Sequence, residues 1–324
     1  MSTLPVAQEL RRGRRIRDWL GDRILLLLTL AAGLGAVALI GVIAYKVLRG
    51  AHLAFSTFGF SFVWGRAWDT NKNVFGALPG LYGTALTSLI ALLIATPLAL
   101  AIALFLSELA PRGIRVVVGS LVEMLAAIPS VVLGLWGILV LGPFLADHIE
   151  PWMHSALGFI PLFGGSGAAP QASSIFVAGV VLAIMVVPIV ASVCRELFLS
   201  VPSELEEGAL ALGLTRWEMV RGVVLPSARP GIAAAVILGL GRALGEAIAV
   251  AQVIGAAWFI RSDFFQPGDT LAARIALQYQ GATTKVQIAS LFYLAAILLV
   301  IGLVTNLIAQ IVVRRFAYQR AGGV

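Results

Sequence analysis

The chain alternates long apolar runs with short polar connections. Six runs stand out, at residues 24–48, 84–106, 116–141, 175–193, 232–257 and 289–313. At about 1.5 Å per helical residue, each crosses most or all of a hydrocarbon layer about 30 Å thick. The pattern predicts an all-α, polytopic transmembrane helical bundle of six spans, with both termini on one side. The first run continues into Tyr45, Lys46 and Arg49 instead of ending at a small-residue cleavage site, so it reads as an uncleaved anchor and not a signal peptide.

Composition agrees. Of 324 residues, 60% are hydrophobic and 12% charged, and the mean hydropathy is +0.97. A soluble domain carries roughly 25% charge, so a water-soluble globule is excluded. The net charge is +7, and six of the 23 bases, Arg11, Arg12, Arg14, Arg15, Arg17 and Arg23, are crowded before the first apolar run. There the expected partner is anionic membrane lipid, with no nucleic acid. Fifteen bases fall in the tail, the 107–115 turn, the 194–231 loop and the C-terminal end. Six fall in the other loops: Arg49, Arg66, Lys72, Arg261, Arg274 and Lys285. The positive-inside bias therefore predicts cytoplasmic termini and a cytoplasmic 194–231 loop.

Most other polar features read as structural. Cys194 has no second cysteine to pair with and reads as a spare thiol. His148 and His154 lie six residues apart with Asp147 and Glu150 nearby, a spacing that does not favour a metal site, so the segment reads as a solvated loop and no metal is expected. Trp64, Trp68 and the phenylalanines of 55–62 read as an interfacial belt.

The 194–231 loop is the most informative stretch. Ser203 with Glu206, and Thr215 with Glu218, each match a capping box, and Gly213 lies between them. The spacing predicts a helix over 204–212, a glycine-permitted reversal, and a second helix from Arg216 that Pro226 terminates. Leu205, Ala209 and Leu212 share one face of the first helix.

Charges also occur inside the spans. The third contains Glu123, and the fifth contains Arg242 and Glu246 within Gly239-Leu-Gly-Arg-Ala-Leu-Gly-Glu246. An intramembrane charge costs at least about 2.5–3.5 kcal/mol, so each needs a partner or a water-filled cavity. Arg242 and Glu246 are four apart and share a face, which allows an ion pair. Two readings follow: a neutralised cluster that holds helices together, or an anion path lined by Arg242, with Glu246 and Glu123 keeping binding weak enough for release. Pro129 interrupts the third run beside Ser130, as a hinge or as static packing.

Glu207, Ala209, Gly213, Leu225 and Pro226 fall in the register of the cytoplasmic signature of ABC importer membrane subunits, which the loop resembles, with Gly208 and Val223 departing from it. Further strings are Trp68-Asp69, Phe75-Gly-Ala-Leu-Pro79, Tyr82-Gly-Thr84, Glu123-Met-Leu-Ala-Ala-Ile-Pro-Ser130 and the Arg242–Glu246 segment. With these, the chain resembles PstC-type permease subunits of phosphate ABC importers over most of residues 60–315.

The resemblance implies a type I ABC importer permease (MetI-like) fold, with a basic tail (1–23), an anchor (24–48), an extracytoplasmic loop (49–83), a permease domain (84–315) containing the coupling loop 194–231, and a cytoplasmic tail (316–324). It implies a multi-pass protein of the inner membrane that moves inorganic phosphate by alternating access. The path would involve Arg242, Glu246, Glu123 and Ser130, and ATPase coupling would involve Glu204, Glu207, Ala209, Gly213, Leu225 and Pro226. The implied partners are a PstA-type second permease, a PstB-type ATPase dimer that holds ATP and Mg, and a PstS-type phosphate-binding protein. No cofactor and no catalysis are expected in this chain. Its three lysines, Lys46, Lys72 and Lys285, follow Tyr, Asn and Thr, so the Gly-Lys of a phosphate loop is absent. Other cargo (another oxyanion or a polar nutrient) and a non-transporting sensor or scaffold are the alternatives.

Overall fold

The computed structural model describes residues 4–163, 169 and 171–321. The side chains of Arg11, Arg12, Arg14, Arg15 and Arg17 and those of the tail 316–324 lie outside the described residues. Six described helices are long and apolar enough to cross a membrane. The chain divides into two units, residues 1–50 and 51–324.

The first unit belongs to one long helix, α1 (Leu4–Phe58). From Asp22 to Ile43 every residue is exposed, including the leucines, isoleucines and valines. A helix that is apolar all round belongs in lipid.

In the second unit, besides the end of α1 and a single helical turn at Ser61–Trp64, the main helices are α2 (Leu78–Leu109), α3 (Arg112–Ala127), α4 (Ser130–Leu157), α5 (Ile175–Leu199), α6 (Ser203–Ala211), α7 (Arg216–Gly245), α8 (Ile248–Val253), α9 (Leu271–Gln278) and α10 (Lys285–Ala321). A two-residue ladder, β1 (Trp68–Asp69) against β2 (Val74–Phe75), is the sole strand pairing among the described residues. The core forms around α5, whose Val177, Val181, Val186, Val190 and Phe198 are buried. Ala91, Ala95, Ala99 and Ala103 make a buried stripe on α2 with a spacing of four. Small residues on one face let two helices approach closely, and at Gly179 of α5 an added Cβ would sit 2.5 Å from the Ile90 side chain of α2.

Two predicted spans are corrected. The third run, 116–141, is not one helix: α3 ends at Ala127, and the membrane-length helix starts at Ser130. Pro129 is the cause, because proline disfavours helical geometry in the residue before it, and Ile128 is extended with ψ 126°. Pro129 therefore does not kink a helix from within; it caps the start of one. The fifth run, 232–257, breaks after Gly245, where Glu246 is extended with ψ 116°, and resumes as the short α8.

Proline also acts in an unexpected way elsewhere. Four turns are widened to i→i+5 bonding, at Phe105–Leu109, Gly137–Leu141, Leu145–Ile149 and Val220–Val224. Each is followed two residues on by a proline: Pro111, Pro143, Pro151 and Pro226. In each, the N–H just before the proline donates five residues back: Ala110 to Phe105, Gly142 to Gly137, Glu150 to Leu145 and Leu225 to Val220. At Pro143, Pro151 and Pro226, which lie inside helices, widening the turn relieves the clash between the ring and the preceding carbonyls, whereas the turn before Pro111 closes α2. Pro226 therefore does not terminate its helix as expected; α7 runs through it to Gly245.

Candidate translocation site

The breaks after Ala127 and after Gly245 meet at one cavity. It has a volume of about 290 Å³ and is lined by Leu125, Ala126 and Ile128 at the end of α3, Leu133 of α4, Met185 and Ile189 of α5, and Arg242 in the last turn of α7. Arg242 Nη2 lies 3.2 Å from Glu246 Oε2, with the side chains 46% and 6% exposed. The predicted ion pair is present. The break in the helix also fixes its acid: the Ala249 N–H, in the first turn of α8, donates to Glu246 Oε1 at 3.4 Å. A half-exposed guanidinium held by a buried carboxylate can receive an anion while its own charge stays compensated.

Glu123 and Ser130 stand apart from this pair. Glu123 is exposed on α3 and forms no ion pair among the described residues, so it is not part of a neutralised cluster with Arg242. The reason is the break at Ile128–Pro129, which removes α3 from the third span. Ser130 opens α4, two residues beyond the cavity-lining Ile128.

The predicted hairpin is formed, with one start signal instead of two. Thr215 and Glu218 make the full capping box: Glu218 N–H donates to Thr215 Oγ1 at 3.3 Å, and Thr215 N–H donates to Glu218 Oε2 at 2.8 Å. Ser203 does not cap. It is the first residue of α6, behind Pro202, whose fixed φ suits the cap position. Gly213 makes the reversal at φ +87°. Ala209 is buried, but Leu205 and Leu212 of the predicted apolar face are 51% and 87% exposed, and Trp217 is 65% exposed. Glu204 and Glu207 are exposed, Leu225 and Pro226 half-buried. Glu206 faces Glu108 and Glu207, and burial together with these like charges raises its carboxyl above the ordinary range.

Sequence reasoning missed two buried polar groups. Arg274 Nη2 pairs with Asp269 Oδ2 at 2.7 Å, with side chains 8% and 0% exposed. The guanidinium lies over the Trp258 ring at 4.3 Å and the Trp68 ring at 5.8 Å, so Trp68 is not simply part of an interfacial belt. Trp64 is 73% exposed. Burial pushes the Asp269 carboxyl up to about 6, with Arg274 and the Thr270 N–H pulling it back. Thr270 caps α9 by accepting the Ala273 N–H, and Arg274 follows within that short helix. The second group is Glu150, read as solvated but fully buried, where it accepts a hydrogen bond from Ser174 at 3.2 Å. His148 and His154 each lie beside a backbone carbonyl, of Phe144 and Phe163.

Comparison with known proteins decides the family. Residues 95–318 match the family described as the binding-protein-dependent transport system inner membrane component. The chain is 41% identical over 307 residues to the phosphate transport system permease protein PstC of Xylella fastidiosa strain Temecula1, covering 94% of each chain. It belongs to the PstC-type permeases of the binding-protein-dependent transport family. Solved relatives share the fold at low identity. A chain of a bacterial alginate ABC transporter, in complex with a pentasaccharide-bound periplasmic protein, superposes with a TM-score of 0.57 at 20% identity, covering 94% of this chain and 96% of that one. A chain of the MetNI methionine ABC transporter superposes at 0.54 and 18%, covering 73% and 94%. The fold is thus the all-α MetI-like permease fold, as expected. PstC-type permeases are multi-pass membrane components of multi-part transport systems, so this chain is a transport subunit and not an enzyme.

Proposed function

We propose that the chain forms one half of the membrane channel of an ATP-driven phosphate importer and that phosphate passes Arg242. The cavity between the two helix breaks carries this reading. It places a single half-exposed guanidinium in an otherwise apolar wall, with its carboxylate partner fixed beside it. Discontinuous helices that meet within the membrane are a recurrent way to build such a site. Ser130, at the start of α4, would add a hydroxyl to the path, and Glu123 on α3 would be a further member of it. The naming of the relatives supports phosphate as cargo.

The exposed apolar tip of the hairpin, led by Leu212 and Trp217, would dock on a PstB-type ATPase that holds ATP and Mg. Glu204, Glu207, Ala209, Gly213, Leu225 and Pro226 would shape that contact. A PstA-type subunit would cover the remaining apolar helix faces, and a PstS-type protein would deliver phosphate from the other side of the membrane. The basic tail and the hairpin would then both be cytoplasmic, in accord with the charge bias. ATP-driven closure of the ATPases, carried through the hairpin into α7, would turn the cavity from one side to the other.

The test is ATP-dependent uptake of labelled phosphate by the assembled complex in liposomes. Arg242→Ala should lower uptake at least about tenfold, as expected from losing charge-assisted hydrogen bonds, with assembly intact. Wild-type uptake by the variant would remove Arg242 from the path, and uptake of sulfate alone would remove the phosphate assignment.

A further inference from the structure

We propose that Glu246 makes the Arg242 site select tetrahedral oxyanions that still carry a proton; this rests on the reading of Arg242 as lining the phosphate path. Arg242 is the one charged side chain among the described residues lining the cavity, and the rest of the wall is apolar. An anion that enters meets one charged side chain there, the guanidinium, and next whatever stands beside it.

What stands beside it is a carboxylate. Glu246 Oε2 is 3.2 Å from Nη2, so the net charge of the pair is zero. An anion oxygen about 2.8 Å from the same nitrogen comes within about 5 Å of that carboxylate oxygen, inside the range where charge interactions outside bulk water are strong. The next oxygen along the edge of a tetrahedral anion covers most of the remaining gap. If it bears a hydrogen, it donates to Glu246; if it is bare, two anionic oxygens are forced together.

Glu246 has little freedom to move aside. It sits in the break between α7 and α8, 6% exposed, with Oε1 accepting the Ala249 N–H. Inorganic phosphate and arsenate keep an O–H near neutral pH. Sulfate and monofluorophosphate do not. The carboxylate thus acts as an acceptor for the cargo's own proton, and it penalises a fully ionised dianion of the same shape.

The test is equilibrium binding of radiolabelled phosphate to the assembled permease and ATPase complex near neutral pH, without the soluble binding protein, whose own selectivity would mask the effect. Arsenate should compete about as well as phosphate, while sulfate and monofluorophosphate should compete at least about tenfold less well. In Glu246→Gln, which leaves Arg242 uncompensated, sulfate competition should strengthen at least about tenfold relative to phosphate, and Glu246→Asp should restore the discrimination. An unchanged sulfate-to-phosphate ratio in Glu246→Gln overturns the proposal. If that variant does not assemble, wild-type competition decides: monofluorophosphate as effective as phosphate also overturns it. Arg242→Ala separates the two layers of the argument. If phosphate binding depends on Arg242 but discrimination does not depend on Glu246, only the selectivity fails; if binding ignores Arg242, the path reading fails and takes the selectivity with it.

Discussion

Removing the charge of Arg274 tests how far the segment between α8 and α10 depends on one buried pair. Its guanidinium and the Asp269 carboxylate are 2.7 Å apart and almost wholly buried, and the Trp258 ring packs on the guanidinium face. Breaking such a pair by removing one partner costs about 3–5 kcal/mol, because the remaining charge is left in a medium that solvates it poorly. Arg274→Met keeps an apolar stem against the tryptophans and removes only the charge. At about 2–4 °C per kcal/mol for a chain of this size, the apparent unfolding midpoint of the purified complex should fall by about ten degrees. Adding Asp269→Asn, which keeps an acceptor for the Thr270 N–H, should recover most of the loss.

The pH dependence sharpens the test. Burial raises the Asp269 carboxyl to about 6 in the folded chain, above its unfolded value near about 4. A raised acid contributes stability that is full below the unfolded value and is lost as pH rises through the folded one. Without Arg274 the folded value rises further, so the deficit of Arg274→Met should be largest near pH ~8 and shrink toward pH ~5. A midpoint equal to wild type, or a deficit that does not change with pH, would refute the reasoning.

The hairpin and the small-residue contacts give further expectations. Gly213→Pro forces φ near about −65° onto a residue that sits at +87°, and it should raise the ATP hydrolysed per phosphate transported. Thr215→Ala removes the cap and should cost about 1 kcal/mol, seen as roughly fivefold faster amide exchange over Arg216–Met219. Gly83→Ala would place a Cβ 2.0 Å from the Asp269 carbonyl oxygen, so detergent extraction should yield less folded complex.

The six crossings were legible because a span needs only length and apolarity, and both are properties of residues taken one after another. Their limits were not. The third run continues apolar through Ile128-Pro129 and the fifth resumes at once beyond Glu246, yet in both places the backbone turns extended within the run. The ion pair of Arg242 with Glu246 could be read because its members are one helical turn apart. Asp269 with Arg274 could not, because the acid precedes the cap of α9 and nothing in the spacing shows that two tryptophans close over the pair. Glu150 looked like a loop acid, and its burial depends on Ser174, 24 residues away.

The three widened turns that lie inside continuing helices have a further consequence. Each holds one residue more than a regular helix would need to reach the same height, and the surplus advances everything beyond it by about 100° around the axis. Taking out a single residue upstream of Pro143, Pro151 or Pro226 would return the local winding to its ordinary pitch, whereas the same excision in the alanine stripe of α2 would swing a packed face outward. Small length changes in homologous chains should therefore collect at these three bulges.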